Sequence, residues 1–129
     1  MINVILDTNF LIYCAKNKLD YKEEISSLLN EDFKLVTPKQ VVDELKKLMN
    51  DRYGKVSFKD KSACKLALQL LEFYNVKIIN VSGKNVDNAI LKLAFENNKN
   101  IVATLDKEMR NKLPRVILIN KYKKLILAK

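Results

Sequence analysis

The sequence predicts an α/β domain built around a parallel sheet. Three observations carry this. Short β-rich apolar runs alternate along the chain with segments of helical periodicity. The first run, Ile2 to Leu6, is near-continuously apolar, as expected of a central strand covered on both faces. No linker, repeat or low-complexity stretch divides the 129 residues, a length within the usual range of one compact domain.

Each element has its own local signal. After Leu6, Asp7 or Thr8 can cap a helix that holds Phe10, Leu11, Ile12, Cys14 and Ala15, and Asp20 with Glu23 forms a capping-box-like start for a second helix through Leu29. A short strand follows at Lys34 to Val36. Thr37-Pro38 reads as an N-cap with proline at the first helical position, opening a helix to about Met49. Asn50 to Lys59, with Gly54, reads as a loop. Ala63, Leu66, Ala67, Leu70, Leu71 and Tyr74 keep helical spacing and predict a long helix over 59–74. Val76 to Val81 is the next predicted strand. Beyond Ser82-Gly83, Val86, Ala89, Ile90, Leu93 and Ala94 mark a helix ended by Asn97-Asn98. Ile101 to Ala103 is a strand, Asp106 to Leu113 a short helix and Val116 to Ile119 a strand, while the pattern of 121–129 is ambiguous.

Composition restricts the chemistry. With no histidine there is no Ser-His-Asp or Cys-His nucleophile and no imidazole acid or base. Two cysteines cannot make a four-ligand zinc site and read as buried small hydrophobes of a reduced, cytoplasmic protein. Gly54 and Gly83 stand alone, so neither a GxxxxGK[ST] phosphate loop nor a GxGxxG turn can be built. No apolar run approaches the roughly 18 residues needed to span a bilayer, so no membrane partner is expected. Lys+Arg 24 against Asp+Glu 15 gives a net charge of +9, which points to an anionic partner.

The acids are placed where open α/β sheets bind ligands, beyond the carboxyl ends of the strands. Asp7 directly follows the first predicted strand, Glu44 lies on the helix entered from the second, Asp87 opens the helix after the third, and Asp106 follows the fourth. At about 100° per residue, Glu44 lies at the border of the face formed by Val41, Val42, Leu45, Leu48 and Met49, whereas Asp43 points nearly opposite. Each acid alone has a structural explanation: Asp7 and Asp106 as N-caps, Asp87 at a helix dipole, Glu44 paired with Lys47. Four at one sheet edge repel one another unless a cation shares them. Oxygen-only ligation points to Mg²⁺ or Mn²⁺.

Four segments in order now resemble a known family. Val4 to Ile12 (VILDTNFLI), Thr37-Pro38 to Glu44-Leu45, Val86 to Ile90 (VDNAI) and Val102 to Asp106 (VATLD) are similar to the ordered motifs of the PIN-domain nucleases, and the resemblance covers nearly the whole chain. It implies a three-layer α/β/α domain with a five-stranded parallel sheet. It also implies an endoribonuclease site in which Asp7, Glu44, Asp87 and Asp106 are catalytic and hold at least one Mg²⁺ or Mn²⁺, leaving a 3′-hydroxyl and a 5′-phosphate. Asn9 and Thr104 match supporting polar positions. Two residues depart from the pattern: Leu105 stands where many members have Asn, and Asn88 where many have a second acid, so two-metal binding is not implied with the same force.

The positive charge is uneven. Residues 82–129 hold 11 basic and 4 acidic side chains, residues 1–81 hold 13 and 11. Lys84, Lys107, Arg110, Lys112, Arg115, Lys121, Lys123 and Lys124 are therefore the candidates for RNA phosphate contacts. Family likeness leaves two roles open: RNA processing of the ribosome-maturation type, towards which the last motif and its basic tail lean, and the toxin of a toxin-antitoxin pair, with an antitoxin partner. It also implies a homodimer, for which the Asn50 to Tyr74 region offers an apolar surface. From other classes come a catalytically silent RNA-binding module and a phosphoacceptor receiver domain. The latter would want paired acids where Asp7-Thr8-Asn9 offers one.

Overall fold

The computed structural model describes residues 1–128. The chain folds as β1 (Ile2–Leu6), α1 (Thr8–Lys16), α2 (Tyr21–Leu28), β2 (Phe33–Pro38), α3 (Lys39–Met49), α4 (Phe58–Phe73), β3 (Lys77–Ile79), α5 (Val86–Ala94), β4 (Ile101–Ala103), α6 (Lys107–Asn111), β5 (Val116–Ile119) and β6 (Leu125–Ala128). The described strands form one sheet in the order β3-β2-β1-β4-β5-β6. Strands β1 to β5 pair in parallel, and β6 returns antiparallel along β5.

The five parallel strands are those expected, and β6 adds a sixth to the sheet. The sixth strand comes from the stretch whose pattern was ambiguous. Leu125 is buried but Ile126 and Leu127 are each 40% exposed, so apolar side chains on both faces of an edge strand obscure its alternation. The parallel core and the α/β layering stand as expected. Helices α1, α3 and α4 pack on one another, while α5 lies against β1, β2 and β4. Ile2, Val4, Ile5 and Leu6 of β1 are all but fully buried, as the nearly continuous apolar run around Asn3 requires of a strand with neighbours on both edges. Cys14 and Cys64 are free thiols within the same core, and burial pushes the Cys14 thiol up to about 12.

Three local corrections bear on the site. Pro38 ends β2 and serves as N-cap of α3 without a side-chain cap bond, so the helix starts at Lys39 and not at Pro38. The Thr37 hydroxyl, expected to cap α3, donates instead to Leu6 O at 2.7 Å, across the β1–β2 pair. Strand β3 is confined to Lys77–Ile79, because β2, its one neighbour among the described strands, ends at the Pro38–Ile79 pair and leaves residues beyond Ile79 without a ladder partner. Further along, α4 starts one residue early behind a Ser57 cap, and α6 is limited to five residues.

Candidate functional site

The sheet order places a topological switch at β1. From β1 the chain first builds outward through β2 and β3, then returns to add β4 and β5 on the opposite side. In such sheets the connections leave the strands on opposite sides and open a crevice at the carboxyl ends. Asp7 and Thr104 are the residues that follow the paired Leu6 and Ala103 at this crevice, and Asp7 N donates to Ala103 O at 3.1 Å.

Asp7 is 4% exposed. It ends the central strand and caps α1, with Oδ1 accepting from Thr8 N at 2.8 Å and Oδ2 accepting from the fully buried Thr104 hydroxyl at 2.7 Å. Thr104 Oγ1 in turn accepts from Asp106 N at 3.0 Å, so one hydroxyl ties the two strand-end acids together. Asp106 is half-buried and its Oδ1 caps α6, accepting from Glu108 N at 2.9 Å and Met109 N at 3.3 Å. Glu44, in the second turn of α3, and Asp87, in the first turn of α5, are exposed.

Two of the other acids lie within electrostatic range of Asp7. The Asp7 carboxyl is raised above its ordinary value chiefly by burial; its hydrogen bonds to Thr104 and Thr8 oppose the rise, and the charges of Asp87 and Glu44 add to it. Glu44 and Asp87 therefore act on the buried carboxylate from separate helices. Asn9 is exposed on the first turn of α1, while Thr104 is the buried bridge just described.

Sequence reasoning missed two groups. Thr37 secures the peptide that carries Asp7, and only a partner across the sheet distinguishes that role from a cap. The Thr8 hydroxyl is buried beside Asp7 with no hydrogen-bond partner, an unspent polar atom at the crevice. Among the described residues no three carboxylates converge into a preformed metal cage. The donor set nevertheless suits a hard divalent cation. It offers oxygen atoms only, and each Asp7 oxygen keeps a lone pair after its single hydrogen bond.

The basic candidates are divided between the ends of the sheet. Lys84 lies in the β3–α5 connection, Lys107 and Arg110 on α6, Lys112 at its C-cap, and Lys121, Lys123 and Lys124 in the turn that leaves the carboxyl end of β5; all are exposed. Arg115 stands apart. It precedes β5, at the opposite end of the sheet, with Nη1 donating to Lys99 O at 3.4 Å. No described helix is long and apolar enough to cross a membrane.

Comparison with known proteins agrees with this architecture. A family model described as a PIN like domain matches residues 4–119. Ribonuclease VapC4 of Methanocaldococcus jannaschii is 39% identical over 113 residues, which span 88% of this chain and 83% of that protein. Among solved structures, the PIN domain endonuclease Utp24 matches with a TM-score of 0.75 at 21% identity, covering 97% of this chain and 90% of that one. VapBC2 from Rickettsia felis, bound to a DNA fragment from its promoter, matches at 0.57 and 15% identity, covering 91% and 97%. These two solved structures speak to the fold alone. With the family model spanning nearly the whole chain and a relative at 39% identity, the chain belongs to the PIN-domain family.

Proposed function

We propose that this protein is a metal-dependent endoribonuclease that hydrolyses RNA phosphodiester bonds at Asp7, Glu44, Asp87 and Asp106. The observation that carries the reading is Asp7: a buried carboxylate at the sheet's switch point, gripped from two sides and within electrostatic reach of Glu44 and Asp87. A carboxylate held so rigidly in an apolar surround is unfavourable by itself and becomes useful when a cation neutralises it. Asp7, Glu44, Asp87 and Asp106 would hold Mg²⁺ or Mn²⁺, one ion at least. When bound, the ion supplies Lewis-acid chemistry, lowering the pKa of a water and stabilising charge on the phosphate.

The protein's own contribution is orientation. Thr104 aims Asp7 and steadies the Asp106 backbone, Thr8 N–H fixes the other Asp7 oxygen, and Asn9, exposed on the same helical turn, is placed to meet the attacking water or a ligand oxygen. Lysines of the β3–α5 connection, α6 and the β5–β6 turn would take the RNA phosphates.

Of the two biological roles, the ribonuclease relative favours the toxin, with a small antitoxin as protein partner. Exposed Tyr53, in the α3–α4 loop, and Phe58, at the start of α4, at 85% each, belong to the 50–74 region from which a homodimer surface would be drawn. The test is cleavage of a structured RNA panel with Mn²⁺ or Mg²⁺. Native protein should cut, chelator should stop it, and Asp7→Asn should lower the rate at least about a hundredfold, more than loss of an outer-shell partner costs. Equal cleavage by all three samples would overturn the assignment. RNA binding without cleavage would favour the silent module.

A further inference from the structure

We propose that Gln40 is a positioning residue: its side-chain amide locks the β3–α5 connection onto α3 and so fixes Asp87 relative to Glu44. The inference rests on the nuclease reading above and names a residue outside the four acids.

The need for such a lock follows from the topology. Strand β3 is a three-residue edge strand whose ladder stops at Ile79, so the segment that delivers Asp87 has no sheet neighbour to hold it. Gln40 fills that gap. From the first turn of α3, its Nε2 donates to Val81 O at 2.7 Å and reaches Gly83 O at 3.4 Å. Gln40 and Glu44 are four residues apart on one helix and therefore share a face.

On the other side of the lock, the connection is pressed against α5. A Cβ at Gly83 would stand 2.9 Å from Ala89 N and 3.1 Å from its Cα, backbone atoms that cannot yield as a side chain would. Only glycine permits this approach, two residues from Asp87 along the helix. Asn85 Oδ1 accepts from Asn88 N at 2.9 Å, and Lys92 Nζ donates to Ser82 Oγ. A continuous set of contacts thus runs from Gln40, on the helix face it shares with Glu44, through Val81 and Gly83 to the first turn of α5.

Gln40 Oε1 is buried without a partner. An apolar side chain of similar length would avoid that cost, so the site retains the amide for its donors and not for packing. Glutamate would be worse than either, because it sets an acceptor against two carbonyl oxygens.

The test uses Gln40→Met, which keeps length and removes the donors, and Gln40→Glu, which opposes the carbonyls. Ile25→Val, on the buried face of α2, serves as a purely structural control. Mn²⁺ binding is read without RNA from the electron paramagnetic resonance signal of the free ion, and amide exchange is followed over residues 84–89. Both Gln40 variants should bind Mn²⁺ about tenfold more weakly and exchange faster over that segment. RNA cleavage should lose kcat with KM changed by less than about twofold. Ile25→Val should lower the melting temperature and leave these readouts at native values. Native Mn²⁺ affinity in Gln40→Met, or an equal loss in Ile25→Val, would overturn the positioning role and leave the nuclease reading intact. A native chain that neither binds Mn²⁺ nor cuts RNA would overturn both.

Discussion

Asp7 sets a cost in stability against the role proposed for it. Its carboxyl is raised from 3.8, first by burial, so the folded state holds the proton to higher pH than the unfolded chain does. The sign follows. Below the unfolded value both states are protonated and Asp7 contributes nothing. As pH rises from there through the folded value, the folded state binds more protons than the unfolded one, and stability falls; above it the loss is complete. Asp7→Asn removes that loss while its amide can still accept from Thr8 N and donate to Thr104 Oγ1. Metal-free Asp7→Asn should therefore melt higher than the native chain at pH 7, with the gap closing as pH is lowered towards 3.8. Saturating Mn²⁺ should reverse the order by stabilising only the native protein. A native chain that melts above the variant without metal would show that Asp7 is not the strained group its burial implies.

At the scale of elements, legibility depended on whether a signal was local. Ile2–Leu6, Ile101–Ala103 and Val116–Ile119 read true because a buried parallel strand is an apolar run, and that needs no knowledge of its neighbours. Thr37-Pro38 misled because the same hydroxyl can cap a helix or bond across a sheet, and only the β1–β2 register decides. Asp7, Glu44, Asp87 and Asp106 stand on the segments that follow β1, β2, β3 and β4, positions readable from local order alone; Gln40 was invisible because its partners lie 41 and 43 residues away. The antiparallel β6 escaped for a similar reason, since its pairing with Val116–Ile119 is what defines it. Its importance is testable. Ending the chain at Asn120 strips four paired positions from β5 and the burial of Leu125, a change on the order of 2–3 kcal/mol. At roughly 3–6 °C per kcal/mol for this size, the melting temperature should fall by about 10 °C. The bared β5 edge should also promote concentration-dependent association visible by light scattering. Unchanged melting would mean that β6 merely decorates the sheet.

At the scale of the whole molecule, the Lys121, Lys123 and Lys124 cluster lies at the same end of the sheet as Asp7. Asp7 and the end of β5 lie at the same end of a parallel sheet, so the Lys121–Lys124 turn shares that end with Asp7, whereas Arg115 sits at the far end with its guanidinium turned to Lys99 O. The turn is built to present its cations. Asn120 Oδ1 accepts from Tyr122 N at 2.9 Å and Lys124 N at 3.0 Å, Lys123 adopts a left-handed backbone with φ +61°, and Lys121 Nζ lies 5.2 Å from the Tyr122 ring centroid. In the proposed nuclease, an RNA strand drawn to these lysines would bring its phosphates towards the acids, which would repel it unless a cation intervenes. Binding should therefore be governed by counterion release, with a slope of log K against log salt near −0.7 for each phosphate neutralised on a single strand. Anisotropy titrations over about 50–200 mM salt, in an Asp7→Asn background so that the RNA stays intact, separate the two ends of the molecule. Replacing Lys121, Lys123 and Lys124 together with alanine should flatten the slope by about 2, and Arg115→Ala should leave it as it was. If Arg115→Ala flattens the slope as much as the triple variant does, the RNA path runs along the opposite end of the sheet and the crevice is not where the strand is held.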